Sequence, residues 1–186
     1  MTRFPSLSES AAPAETRPVL AASAQKFGFV PSPVARAAAV PALLQHMLAG
    51  FAAFDRTSLS RLEREVVAMT VAFENGCHYC MALHTAELTR AEHAGLAAEL
   101  RAGQPLSSPR LEALRVFARS VLRDRGRVPA ETWERFEAAG FTSSDALAVV
   151  LGVGAYALST LANLVTGAEL EPPLAAFAWV PPASDG

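Results

Sequence analysis

The sequence predicts an all-α fold. Apolar residues recur at spacings of three and four through most of the chain, as one buried helix face requires. Capping residues such as Ser60, Ser108 and Thr142 precede these runs, and Gly76, Gly103 and Gly140 follow them. No segment alternates apolar and polar residues between hairpin turns. The chain has 186 residues, 51% of them apolar, which is the length of one domain and enough apolar material for a sizeable core.

Taken in order, residues 1–16 are polar and small and are expected to form a flexible arm. Residues 17–171 hold the helical domain, and 172–186 form a C-terminal tail whose apolar stretch 175–179 docks on this chain or a neighbour. Arg17 to Phe27 reads as a short helix, ended by Gly28, Pro31 and Pro33. From Val34 to Phe54 the apolar pattern is continuous and predicts one long helix face. Ser58 or Ser60 caps the next helix, which Asn75-Gly76 closes; Ser60 followed by Glu63 has the spacing of a capping box. The next helix starts at or just after Cys77 and runs to about Ala94, where Gly95 stops or bends it. Leu96 to Arg101 is a short helix. Ser107 or Ser108, with Pro109 at the first position, starts another that ends before Gly126. Pro129 to Ala138 is short, with Trp133 and Phe136 on its apolar side. Thr142 or Ser143 caps the last long helix, about Ser144 to Gly167. There Gly152 and Gly154 permit close helix packing.

The formal charge of -2 and the lack of a basic block argue against a nucleic-acid or anionic-membrane partner. The segment 146–165 is the most apolar, but Ser159, Thr160, Asn163 and two glycines interrupt it, so it reads as a buried helix rather than a membrane span. The start of the chain lacks the apolar core of a secretory signal, and the expected location is cytoplasmic. In that setting the only two cysteines, Cys77 and Cys80, read as reactive or metal-binding.

These cysteines sit three residues apart at the start of a helix, nearly on one face and close enough to pair. Cys77 lies where free amides and the helix dipole favour a thiolate. His84 is one turn beyond Cys80 and can exchange a proton with it. A carboxylate then orients the histidine. Glu65 is the candidate, because it stands in an otherwise apolar stretch where a charge needs a partner. Glu63 and Glu74 compete with it. Tyr79 lines a pocket, joins the relay or packs. Asn163, a polar residue in a very apolar helix, bonds to the active-site loop or bridges subunits, with a structural bond read first. The arginines from Arg115 to Arg127 are read as a solvated face.

The run from Glu65 through Cys77-His-Tyr-Cys80 to His84 resembles the AhpD-like alkylhydroperoxidases of the carboxymuconolactone decarboxylase superfamily. The likeness is sharpest over residues 58–90, and the layout of about 18–170 looks like the peroxidase-related branch. The resemblance implies an AhpD-like helical domain with the C-x-x-C motif at the N-terminus of a central helix. It implies that Cys80 attacks a peroxide, that Cys77 resolves the sulfenic acid, and that Glu65 and His84 relay a proton. Some family members carry a histidine where this chain has Tyr79, so the relay departs from theirs. The implied reductant is an external dithiol, lipoyl-bearing or thioredoxin-like. The implied state is a homo-oligomer, with dimer, trimer and hexamer all open.

The leading reading is a cysteine-based peroxidase acting on hydrogen peroxide or organic hydroperoxides, with no cofactor or metal. The alternatives are a general thiol–disulfide oxidoreductase, or a non-catalytic helical assembly protein with a slow dithiol. A zinc site built from the cysteines and His84 is the remaining rival.

Overall fold

The computed structural model describes residues 3–182. Nine α-helices follow in order: α1 (Arg17–Phe27), α2 (Ser32–Ala37), α3 (Pro41–Phe54), α4 (Arg61–Glu74), α5 (His78–Arg90), α6 (Ala94–Ala102), α7 (Pro109–Arg123), α8 (Ala130–Ala138) and α9 (Ser143–Thr166). A 3₁₀ helix, Pro172–Phe177, comes last, and no strand occurs among the described residues.

α4 is the central element. Its start is fixed by a complete capping box: Ser60 Oγ accepts from the Glu63 amide, and the Glu63 carboxylate accepts from the Ser60 amide. Val66, Val67, Met69 and Val71 are then fully buried. α4 packs against α5, α7 and α9, and α3 lies along α9. α9 is the other organising element, capped by a Thr142–Asp145 box and ended by Gly167 in the left-handed region. It is long and apolar enough to cross a membrane. Its buried face nevertheless carries Tyr156, Ser159 and Asn163 toward α5, as a core helix does.

Two apolar clusters result. The larger gathers around α4, α5, α7 and the C-terminal segment. The smaller joins Leu20, Ala37, Ala38, Leu44 and Met47 from α1, α2 and α3. The site described below lies where the two meet.

Several expectations are corrected. The Val34–Phe54 pattern is two helices, because Pro41 occupies the first turn of α3 and the chain turns at residues 38–40. α5 ends at Arg90 rather than near Ala94. Glu92 takes a left-handed conformation (φ 64°), and Gly95 falls inside the first turn of α6. The N-terminal segment is not a loose arm from Leu7 onward: the Leu7 amide bonds Ala35 O, and Ala12 and Thr16 are buried. The C-terminal tail docks on its own chain. Trp179 is buried against Phe73, and its indole N–H donates to Arg101 O at 3.0 Å. Residues 183–186, the end of the expected tail, lie outside the described residues, as do residues 1–2 of the expected arm.

Candidate active site

The α4–α5 turn places the cysteines. Gly76 adopts φ 67°, which favours glycine, and the Cys77 amide reaches back to Ala72 O at 2.8 Å, closing α4. Asn75 Nδ2 donates to Thr160 Oγ1 at 2.8 Å and ties the turn to α9. Cys77 is thereby the N-cap of α5 and Cys80 sits in its first turn, the placement expected from the sequence. Both are free thiols and buried, Cys77 at 0% exposure and Cys80 at 4%.

The thiols share their charge unequally. Cys77 is pulled down to about 6, chiefly by the hydrogen bond from the Cys80 thiol, with burial opposing and the Cys80 amide, Asn163 and His78 assisting. Cys80 is pushed well up by the same hydrogen bond, by burial and by the negative charge of Cys77, while Asn163 and Ser159 act against the rise. The resting pair therefore holds its negative charge on Cys77 and its proton on Cys80, as the free amides at a helix start favour.

Asn163, singled out in the sequence for a bond to the active-site loop or across subunits, bonds the two sulfurs themselves. Its Nδ2 lies 3.3 Å from Cys80 Sγ and 3.8 Å from Cys77 Sγ, so one amide serves both sulfurs. Ser159 stands one turn before it on the same helix, and Tyr156 one turn before that. The signal was present: Asn163 is 3% exposed within an apolar helix. Such a group demands a partner, but only the fold says which.

Glu65 and His84 meet as expected. His84 Nδ1 and Glu65 Oε2 are 2.8 Å apart. Burial, the largest influence on His84, disfavours the imidazolium, yet the Glu65 charge and hydrogen bond outweigh it and raise its pKa. Burial of Glu65 is likewise outweighed by His84, and its pKa is lowered. Arg61 and Arg64, the alternative partners of Glu65, pair with Glu87 and Asp55 instead. The competing carboxylates are engaged elsewhere: Glu63 with Ser60 and Arg110, and Glu74, not solvated, with Arg123.

Tyr79 donates to Glu171 Oε2 at 2.9 Å. Burial, the largest cause, and the Glu171 charge push its pKa up, so it stays a neutral phenol. His78 is not simply solvated, since Nε2 lies 3.0 Å from Ala168 O. These two contacts fasten the start of α5 to the segment after α9. Arg115, expected on a solvated face, is buried and bidentate to Glu112.

A cavity of about 970 Å³ opens beside these groups. Cys80, Tyr79, His84, Tyr156 and Asn163 form one wall, and apolar residues of α1, α2 and α3 form the other. Cys77 is not in the lining, so access belongs to Cys80 and charge to Cys77. Among the described residues, no three His, Cys, Asp or Glu side chains converge as a metal site.

Residues 32–99 match the family model of the carboxymuconolactone decarboxylase family. No curated protein matches the chain. Among solved structures, an uncharacterized peroxidase-related protein from Ralstonia eutropha, titled an alkylhydroperoxidase AhpD core, superposes with a TM-score of 0.82. It is 24% identical over 93% of this chain and 94% of that one. An uncharacterized peroxidase-related protein from a Silicibacter species gives 0.74 at 22% identity, covering 92% of each chain. The debrominase Bmp8, solved with 2,3,4-tribromopyrrole, gives 0.75 at 16% identity, covering 95% of this chain and 96% of that one. The fold is thus the all-α AhpD-like one.

Proposed function

We propose that this chain, whose residues 32–99 match the carboxymuconolactone decarboxylase family model, is a member of the AhpD-like group of that superfamily and a peroxidase reducing hydroperoxides through Cys80 and Cys77. The observation that carries the reading is the lining of the cleft. It holds Cys80 beside the His84–Glu65 pair, with Cys77 behind as a charged neighbour.

The Cys80 proton passes to the Cys77 thiolate, and the Cys80 sulfur attacks the distal peroxide oxygen. The O–O bond breaks, and the leaving oxygen takes the proton held on His84, giving alcohol or water and a Cys80 sulfenic acid. Cys77 returns its proton to His84 and attacks the Cys80 sulfur. The S–O bond breaks and water leaves, protonated from His84. One peroxide and two thiols become one alcohol, one water and one disulfide. Glu65 holds the imidazole in place and stabilises its charge, a task carboxylates perform for histidine elsewhere. An external dithiol then exchanges with the disulfide and restores both protons. Burial of both sulfurs favours a thin carrier arm of lipoyl type over a disulfide set in a folded surface. The setting is a reducing one, the cytoplasm, and the chain pairs with copies of itself through α9.

Stopped-flow oxidation of the reduced protein tests the reading. Hydrogen peroxide or tert-butyl hydroperoxide is expected to yield the Cys77–Cys80 disulfide rapidly. Cys77→Ser is expected to stop at the sulfenic acid, and Cys80→Ser to lose the fast phase. Full peroxide turnover by Cys80→Ser overturns the assignment. Bromide release from a bromopyrrole, with no peroxide reaction, replaces the reading by a reductive dehalogenation at the same dithiol.

A further inference from the structure

The cleft is far larger than hydrogen peroxide needs. That molecule is about the size of two waters, each ~30 Å³, and fills less than roughly a tenth of the volume. At about 970 Å³ the cleft is sized for an organic ligand. Its floor is one face of α5: Cys80, Leu83, Glu87 and Arg90 all line it, at spacings of three, four and three. Those spacings keep the residues in one row, and ten residues advance about 15 Å along the helix.

Exposure and polarity change along this row. Cys80 is 4% exposed at the closed end, Leu83 is half-buried, and the Arg90 side chain is 62% exposed at the other. The facing wall is apolar, with Val19 from α1 and Leu44, Met47 and Phe51 from α3. At the open end stand Arg90 and Lys26, the chain's only lysine. Glu87 is held by Arg90 at 2.6 Å and Arg61 at 3.5 Å, so its charge is already answered. Lys26 lies over the Phe27 ring at 4.9 Å and has no ion pair among the described residues. The open end therefore carries a positive charge that no carboxylate among the described residues pairs with.

We infer that the cleft takes an amphiphile: a long-chain carboxylic acid bearing the hydroperoxide, with its acid group at Lys26 and Arg90 and its peroxide at Cys80. This rests on the peroxidase reading and names its substrate class. A chain of roughly a dozen zigzagged carbon–carbon bonds of about 1.5 Å spans the distance. Its methylenes leave water for the apolar walls. Its carboxylate pairs with Lys26, the cation of the cleft lining that has no ion pair among the described residues. The reaction is the one already balanced above, with the hydroxy acid as the alcohol product.

Two measurements on the reduced full chain test this. In calorimetry, dodecanoate is the probe, with methyl dodecanoate and butyrate as controls. Dodecanoate is expected to bind, and Lys26→Glu to weaken it at least about tenfold while leaving the ester unchanged. In stopped flow, linoleic acid hydroperoxide is expected to oxidise Cys80 at least about tenfold faster than hydrogen peroxide. Lys26→Glu is expected to remove that advantage without altering the hydrogen peroxide rate. If hydrogen peroxide reacts fast but dodecanoate does not bind, or binds equally to both proteins, this inference fails and the peroxidase reading stands. If no peroxide reacts, the peroxidase reading fails; Lys26-dependent dodecanoate binding then still supports the acid-binding cleft, and its absence ends it.

Discussion

The single amide of Asn163 helps to hold the dithiol's charge, beside the larger effect of the Cys80 thiol. It donates toward both sulfurs from the buried face of α9. A hydrogen bond to a charged group contributes about 1.5–3 kcal/mol, which is roughly one to two pH units. Asn163→Ala is therefore expected to move the thiolate titration of the pair upward from about 6 by roughly one to two units, read as thiolate absorbance. The sign follows from the direction of the shift: Cys77 is held below its ordinary value, so losing a donor returns it toward that value. The peroxide reaction should fall as pH drops through about 6 in the parent protein, and at higher pH in the variant. An unmoved titration with a lowered melting temperature would assign Asn163 to packing alone. The sequence made Cys77, Cys80, His84 and Glu65 legible because their spacing within two adjacent helices is local. The partners of Asn163 and Glu171 were not, because they lie 83 and 92 residues away.

At the scale of elements, helix starts were readable and some ends were not. Ser60, Ser108 and Thr142 each cap the helix they precede, since a side-chain oxygen satisfies a free amide whatever the tertiary setting. The break between α2 and α3 was hidden because apolar residues continue across it, and periodicity does not register a proline that begins a new helix. The end of α5 was hidden because Glu92, not a glycine, takes the left-handed turn. The two glycines of α9 were grouped by sequence and are separated by structure. A Cβ on Gly152 would lie 2.5 Å from the Phe54 ring, which is itself buried, whereas one on Gly154 meets nothing within 4 Å. Overpacking costs about 1–3 kcal/mol, against a helix gain of about 1 for alanine. Gly152→Ala is thus expected to lower stability by up to about 2 kcal/mol, net of that gain. Gly154→Ala is expected to raise it by about 0.5–1 kcal/mol in the isolated chain. Denaturant titration of both separates the contacts; equal effects would mean that Phe54 yields freely.

At the scale of the whole molecule, the outer face of α9 has no partner within the chain. Leu147, Val150, Leu151, Leu161, Leu164 and Val165 are all exposed, from 38% to 71%. No charged residue lies between Ala146 and Thr166. Leu147, Leu151, Gly154, Leu161 and Val165 lie on this face at helix-pairing spacings, while Leu158 between them packs partly against the smaller apolar cluster. The strip is about 27 Å long, more apolar surface than a monomer ordinarily leaves in water. It is roughly symmetric about residue 156, so an antiparallel second copy would set Leu151 opposite Leu161 of the other, both of them exposed in the single chain. The buried face of the same helix holds Tyr156, Ser159 and Asn163, so pairing there would brace the site without blocking the cleft on the α1 side. Sedimentation of the parent protein is expected to show a dimer or a higher assembly containing that pair. Leu161→Arg, half a turn away from the site-facing row, is expected to dissociate it while leaving the thiolate titration in place. A parent protein that sediments as a monomer at micromolar concentration rules the pairing out, and so does an assembly that survives Leu161→Arg unchanged.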